Sequence, residues 1–528
     1  AEAGKEYLPV GGNYMGLRGG DHSTFDAATS FTEADYDPIK TDAMMREFAA
    51  AGGNMIREFL IGRTDINPGI SGDKSYAIDD EQYYYEGLYV PYMENVAHFL
   101  SKAKQYGVYV MLTLGDADVP NNSYYLELQG GQPLSRNEMY LTQNGVNARA
   151  AYARNVVKYF TEKHAELVPA IFSIGFQNEF AMYGNETPFD DKSAASFTAA
   201  NGVTYDMTDD DDRQKCFEDG VIYYLNALTA AVKEIDPDML VNEGSFTLNI
   251  VGNGDEVGCP ARPENGDPRY PARFDVYLSS NIDFLDVHIY FRNRDNNTIR
   301  SSFAKDLTDM NFYGEETQQL LKKKPLFMGE FGAATSWAAN WDEPNGALPS
   351  AHDVFIETVR LAREAGFKGF AVWTMESHLQ NTWWNLLSYD GTFATFKEMI
   401  AEMHGVELIT GVSAQDVSGK AGENNSITVT GVAEGDKVYY RTQEFGEWTL
   451  ENPVFTEEGV YTVYYKVTRE FAPEFTGSAT VTVAAAQEPK TAGCNCGSNV
   501  VTGGMLTAAV AVFAAAFALA ARRKKKQN

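Results

Sequence analysis

Two glutamates stand where apolar, strand-like runs end, and a carboxylate is unusual there. Glu179 ends the run of "FSIGFQNEF" (172–180), and Glu330 ends that of "PLFMGEF" (325–331). Cleavage of a glycosidic bond needs such a pair, because one carboxyl group protonates the departing oxygen while the other attacks the anomeric carbon or directs water to it. A single Glu at a strand end is more often an ion-paired surface residue, so the fold must bring these two together.

Other polar residues end further apolar runs in the same way. Arg57 lies in "NMIREFL", Asn178 directly precedes Glu179, and Trp373 lies in "FAVWTM". His288 and Tyr290 are two residues apart in "FLDVHIY", so on a strand both side chains share one face. If these runs are parallel strands of one barrel, their carboxyl ends meet at a common mouth.

The elements that must position these residues alternate along the first part of the chain. Eight strand-like runs start near residues 10, 54, 108, 171, 239, 284, 325 and 370, and runs with helical periodicity separate them. Eight such units over residues 1–405 predict an α/β fold, a (β/α)₈ TIM barrel. A doubly wound open sheet is the alternative, but no Gly-rich phosphate turn follows the first strand. The acidic run "DMTDDDDRQ" (206–214) is interpreted as the start of a helix.

These motifs, in this order and spacing, resemble glycoside hydrolase family 5, the cellulase and mannanase family of retaining (β/α)₈ barrel glycosidases. The resemblance rests on "NMIREF", "QNEF", "HIY", "MGEFG" and "AVWTM", and extends over most of residues 5–405. It implies a catalytic domain that uses no metal and no organic cofactor, and a poly- or oligosaccharide such as β-glucan or β-mannan as substrate.

The resemblance also implies a role for each matching residue. Glu179 is expected to be the general acid and base, protonated near neutral pH, and Glu330 the ionised nucleophile. Substrate-binding or supporting roles fall to Arg57 and Tyr290 beside Glu330, Asn178 at the sugar 2-hydroxyl, His288 beside Glu179, and Trp373. Trp337, Trp383, Trp384 and Asp116 are expected at the rim of the cleft.

The sequence departs from the family pattern in two places. The usual Asn-Glu-Pro is Asn178-Glu179-Phe180, and the histidine expected after the third strand is absent from "TLGDAD", which offers Asp116 and Asp118 instead. The second change alters the wall beside the bound sugar.

The pattern of apolar and polar residues changes after residue 405. Residues 413–484 contain short alternating runs such as "VYTVYYKVT" and resemble the immunoglobulin-like β-sandwich modules of Gram-positive surface proteins. A spacer (485–499) leads to an uncharged stretch (500–521), interpreted as a transmembrane helix, and a basic tail (522–528). We therefore expect an extracellular enzyme, with its signal peptide removed, anchored in the plasma membrane of a Gram-positive bacterium.

Charge and residue usage narrow the partners and leave two alternatives. The net charge of −30 argues against nucleic acid, so the expected partners are a carbohydrate and, through the anchor, the membrane, with a monomeric catalytic domain. One alternative is an inactive barrel that serves as a surface glycan-binding adhesin, although binding alone does not need two facing carboxylates. The other is a metal-dependent hydrolase, for which the seven histidines are too scattered.

Overall fold

Eight parallel strands form a closed barrel in a computed structural model that describes residues 7–14, 30–60, 68–190, 195–248, 267–291, 298–333, 349–375, 393–444 and 446–486. Each strand pairs with its neighbour in sequence, and β1 pairs with both β2 and β8. The strands are β1 (Val10–Asn13), β2 (Met55–Phe59), β3 (Tyr109–Thr113), β4 (Ile171–Gly175), β5 (Val241–Phe246), β6 (Phe284–His288), β7 (Leu326–Glu330) and β8 (Phe370–Val372). The predicted (β/α)₈ barrel is confirmed.

Helices separate the strands and pack around them. In chain order they are α1 (Pro38–Ala50), α2 (Val90–Tyr106), α3 (Ser123–Leu128), α4 (Arg136–Leu141), α5 (Gln143–Lys163), α6 (Asp210–Ile235), α7 (Phe274–Ser279), α8 (Ile299–Asp309), α9 (Glu315–Leu320), α10 (Ala351–Ala365) and α11 (Ala394–His404). The acidic run does begin a helix, because Asp209 caps α6 by accepting hydrogen bonds from the backbone of Asp211 and Asp212. A 3₁₀ turn (Ala165–Ala170) leads into β4.

The inside of the barrel changes from apolar to polar along the strands. Met55, Met111, Phe284, Phe327 and Ala371 form an apolar cluster in the lower part. Two residues further along three strands, the side chains are Asn13, Arg57 and Asp286, and none of them is exposed. Buried charges need partners, so this polar layer must be hydrogen-bonded internally.

The C-terminal part of the described chain is all β. Its strands are β9 (Ser413–Ala414), β10 (Val417–Lys420), β11 (Val429–Thr430), β12 (Lys437–Arg441), β13 (Gly459–Arg469) and β14 (Ala472–Ala484). Four of them form one sheet in the order β10-β14-β13-β12, and β9 pairs with β11. The unit has its own core around Ile427, Val463 and Val481. Its assignment as an immunoglobulin-like module stays a prediction.

The helices of the described residues include none that is both long and apolar enough to cross a membrane. The predicted span (500–521), most of the spacer before it and the basic tail after it lie outside the described residues.

Candidate active site

Most of the residues singled out in the sequence meet at the carboxyl ends of the strands. Residues on β2, after β4, on and after β6, on β7 and after β8 supply side chains to the same region. These are Arg57, Asn178, Glu179, His288, Tyr290, Glu330 and Trp373. The nearest carboxylate oxygens of Glu179 and Glu330 lie within 4.8 Å of each other.

Glu330 is held by two donors, one on each oxygen. Nη1 of Arg57 donates to Oε1 at 2.7 Å, and the hydroxyl of Tyr290 donates to Oε2 at 2.9 Å. The guanidinium of Arg57 can only donate, so Oε1 must accept. With 6% of its side chain exposed, Glu330 is fixed in place at the bottom of the site.

Arg57 joins Glu330 to three other elements. Its Nε donates to Asp286 at 2.9 Å, Nη1 also donates to Oδ1 of Asn13 at 3.0 Å, and Nη2 donates to Oδ1 of Asn178 at 3.1 Å. Four strand ends are thereby linked through one guanidinium. The position of Asn178, beside Glu179, depends on the same residue that holds Glu330.

Glu179 is held more loosely and is more open. Nδ1 of His288 lies 3.0 Å from Oε1, and Nη1 of Arg269 lies 3.7 Å from Oε2. Its side chain is 20% exposed, compared with 6% for Glu330. The difference leaves Glu179 accessible to a group that approaches from the mouth of the barrel.

His288 lies close to both glutamates and shifts the pKa of each. Burial opposes the charge on His288, but the neighbouring carboxylates, that of Glu330 foremost, raise its pKa to about 9. Burial raises the pKa of Glu179, yet the hydrogen bond and charge of His288 bring it below its ordinary value. Burial is also the main cause of the raised pKa of Glu330, against the charges of His288 and Arg57.

The shift of the pKa of Glu179 is therefore opposite in direction to the expectation that this residue carries a proton near neutral pH. The hydrogen bond and the charge of His288, which the sequence placed beside Glu179, favour the anionic form of Glu179. Nδ1 of His288 lies 3.0 Å from Oε1 of Glu179, close enough for a proton to pass between the two groups.

The remaining predicted residues lie at the edge of the site or outside the described chain. Trp373 is 8% exposed, and its ring packs edge-on against Phe59 with centroids 6.1 Å apart. Asp116 lies 3.7 Å from Arg136, and its side chain is 43% exposed. Trp337, Trp383 and Trp384 lie outside the described residues.

Three further residues of the site were missed in the sequence. Asp286 precedes His288 by two residues in an apolar strand, so its position on the same face was a usable signal. Asn13 ends β1 in a similar way, and its amide donates to the backbone oxygen of Gly329 at 2.8 Å. Arg269 has no sequence signal, because a short pairing with Tyr183 brings it to Glu179.

Among the described residues, Glu179, His288 and Glu330 form a group close enough to bind a cation together. Both oxygens of Glu330 already accept hydrogen bonds, from Arg57 and from Tyr290. A cation bound there would lie close to the positively charged guanidinium of Arg57, whose Nη1 is 2.7 Å from Oε1, and the two charges would repel each other. The geometry therefore favours a site that works through its carboxyl groups.

No protein-family model matches the chain, and no curated protein matches it either. Solved structures do show similarity. An endo-β-1,4-mannanase from Thermotoga petrophila is 13% identical, with 92% of this chain and 99% of that chain covered and a TM-score of 0.44. An endo-1,4-β-mannanase from Rhizomucor miehei is 14% identical over 76% and 97%, with a TM-score of 0.49. A glycoside hydrolase family 5 mannosidase from the same organism is 16% identical over 77% and 95%, with a TM-score of 0.43.

Phe180, where the family pattern has proline, has a structural reason in this chain. Its backbone N–H donates to the oxygen of Gly244 at 2.8 Å, a bond that proline cannot make. Its ring is fully buried, with its centroid 4.6 Å from that of Tyr140 and 5.8 Å from that of Tyr277. The segment that carries Glu179 is thus tied to β5 and to the helix layer.

We expect Phe180→Ala to lower the free energy of unfolding by about 3 to 5 kcal/mol, because it empties a packed aromatic site. Chemical denaturation measures this loss. Tyr313→Ala, at a tyrosine that is 62% exposed, is the matched control and should cost less than about 1 kcal/mol. A loss at position 180 no larger than that of the control would mean that the ring does not hold this segment.

Proposed function

We propose that this chain is a retaining β-glycoside hydrolase that cleaves a poly- or oligosaccharide by double displacement. The observation that carries the proposal is the pair of carboxyl groups, Glu179 and Glu330, with their nearest oxygens within 4.8 Å. Retaining glycosidases have their carboxyl groups about 5 to 5.5 Å apart, whereas inverting enzymes leave room for water at about 6.5 to 9.5 Å. The short separation supports direct attack by Glu330 on the anomeric carbon, as in retaining enzymes.

In the first step, Glu330 attacks the anomeric carbon and Glu179 gives a proton to the leaving oxygen. Arg57 and Tyr290 keep Glu330 aligned through hydrogen bonds of 2.7 and 2.9 Å. Holding the nucleophile in one orientation contributes to the rate because little motion is left to arrest in the transition state. The products of this step are a glycosyl-enzyme ester and a free alcohol.

In the second step, Glu179 takes a proton from water, and that water attacks the anomeric carbon from the face opposite Glu330. The bond to Glu330 breaks and the sugar leaves with its original configuration. Asn178 fits the role of a donor to the sugar 2-hydroxyl, because its Oδ1 accepts from Arg57 and its amide nitrogen is the group that can donate.

His288 supplies the proton that Glu179 needs for the first step. Before a sugar enters, the raised pKa of His288 and the lowered pKa of Glu179 favour a proton on Nδ1 of His288. When the leaving oxygen approaches Glu179 and the site loses water, the neutral acid becomes favoured, since burial raises the pKa of a carboxyl group. The proton then crosses the 3.0 Å hydrogen bond to Oε1.

The substrate class and the location are part of the proposal. β-Glucan and β-mannan are the first polymers to test, and the roles above require neither a metal nor an organic cofactor. The uncharged stretch (500–521) followed by five cations (522–526) supports a membrane anchor, with the barrel outside a Gram-positive cell as a monomer.

Proton NMR of the first product tests the stereochemistry. We expect the β-anomer to appear first during cleavage of a β-linked gluco- or manno-oligosaccharide, with the α-anomer arising later by mutarotation. If the α-anomer is the first product, the reaction inverts and Glu330 is not a nucleophile. If no oligosaccharide of either series is cleaved but the protein binds one of them, the adhesin alternative holds.

A further inference from the structure

Asp286 is buried directly beneath the candidate catalytic residues, where an apolar strand would ordinarily place an apolar side chain. Its exposed fraction is zero. A Cβ atom on Gly329 would lie 1.6 Å from Oδ1 of Asp286, so the carboxylate fills space that only a glycine on β7 leaves open. The register between β6 and β7 also shifts between Asp286 and His288. Two local features of the barrel therefore accommodate this one carboxylate.

The contacts of Asp286 lead to both glutamates. Its Oδ2 accepts from Nε of Arg57 at 2.9 Å, and another nitrogen of the same guanidinium holds Glu330. The same Oδ2 lies 3.7 Å from Nε2 of His288, and Nδ1 on the other side of that ring faces Glu179. Nε2 of His288 and Oδ1 of Asp286 have no hydrogen-bond partner although both atoms are buried.

We propose that Asp286 is a positioning residue for both carboxyl groups: it fixes Arg57 against Glu330 and, through His288, holds the proton that Glu179 donates. This inference rests on the function proposed above. Without the negative charge of Asp286, the buried imidazolium of His288 would face Arg57 with less compensation, and Nε of Arg57 would lose its partner. The two halves of the reaction are thus coupled through one residue that touches neither sugar nor leaving group.

The charges around His288 decide the direction of its response. Among the described residues, the ionisable groups that act on it are Arg57 from β2, Glu179 after β4, Asp286 on the same strand and Glu330 on β7. Removal of one carboxylate leaves the positive charge of Arg57 in place. The protonated form of His288 becomes less favourable, so its pKa must fall.

Asp286→Asn tests this coupling because it removes the charge and keeps the shape. In wild type, nitrogen-resolved NMR should show both ring nitrogens of His288 protonated at pH 7, with the resonance assigned by its loss in His288→Asn. In Asp286→Asn the midpoint of the His288 titration should move down by about one pH unit or more. The alkaline limb of kcat/KM should move down with it, since above that pH the pair Glu179–His288 holds no proton to donate.

Asp283→Asn is the matched control. Asp283 lies just before the same strand, but its carboxylate pairs with Lys233 at 3.0 Å and not with Arg57 or His288. It should leave both titrations in place. The proposal is overturned if His288 is neutral at pH 7 in wild type, a measurement that needs no Asp286 variant to fold. It is also overturned if both midpoints in a folded Asp286→Asn stay within about 0.3 unit of wild type. Failure of wild type to cleave any glycoside would overturn the proposed function instead, and the NMR titration would still judge the coupling.

Discussion

Glu330→Gln is expected to lower kcat by more than about 10⁴-fold, the scale on which removal of a covalent nucleophile acts. The amide has almost the shape of the carboxylate, and its one oxygen can still accept from Arg57 while its NH2 group faces the hydroxyl of Tyr290, but it lacks the charge that attacks the anomeric carbon. The expected loss is the same for good and poor leaving groups, since both need the nucleophile. Steady-state hydrolysis of aryl β-glycosides of graded leaving-group acidity measures it.

Glu58→Gln is the matched control for that experiment. Glu58 is a fully buried carboxyl group on β2, adjacent to Arg57 and therefore on the opposite face of the strand. The same chemical change there should leave kcat within about threefold of wild type, since the residue faces the helix layer. A loss of less than about tenfold in Glu330→Gln would remove Glu330 from the role of nucleophile.

The smaller variant Glu330→Ala gives a second, independent test of whether Glu330 is the nucleophile. It opens space on the face of the sugar from which Glu330 would attack, so a small anion such as azide can take its place. The expected product is a glycosyl azide with inverted configuration, because only one displacement has occurred. A product with retained configuration would place the nucleophile elsewhere.

The barrel and its polar mouth were predictable because both depend on local pattern. Glu179 and Glu330 each lie at or just after the end of an apolar strand, so both could be recognised from their own neighbours. Asp286 and Asn13 could not be recognised as site residues in the same way. Each is one polar residue in an apolar strand, and its meaning comes from Arg57, which reaches it only when β1, β2 and β6 surround one interior.

The protonation states of the two glutamates could not be predicted from the sequence for a related reason. The split between Glu179 and Glu330 was inferred from their roles, whereas their pKa values depend on His288 lying within 3.0 Å of one and 3.4 Å of the other. Two hydrogen bonds on Glu330 and one on Glu179 could be anticipated as possibilities, but not the charge on the ring between them. The charge on a buried group depends on differences of a few tenths of an ångström in its distance to neighbouring charges, and the spacing of residues along a chain does not determine these distances.

Glu179→Gln should affect substrates according to their leaving group. For oligosaccharides, whose leaving group is a sugar alcohol, kcat/KM should fall by about 10² to 10⁴-fold, because the general acid is lost. For a dinitrophenyl glycoside the first step needs no proton, so kcat/KM should fall by less than about tenfold, while kcat falls because no base activates water for the second step. Azide, which needs no deprotonation, should then restore turnover and yield a glycosyl azide with retained configuration.

The dependence on leaving group separates an acid from a residue that only shapes the site. Glu166→Gln, at an exposed glutamate in the turn before β4 and therefore at the opposite end of the barrel, should change neither substrate class. A uniform loss in Glu179→Gln with all leaving groups, without recovery by azide, would indicate that Glu179 positions substrate and donates no proton. The 20% exposure of its side chain and its one close hydrogen bond, to His288, favour the opposite result, since an acid must reach the leaving oxygen and be recharged.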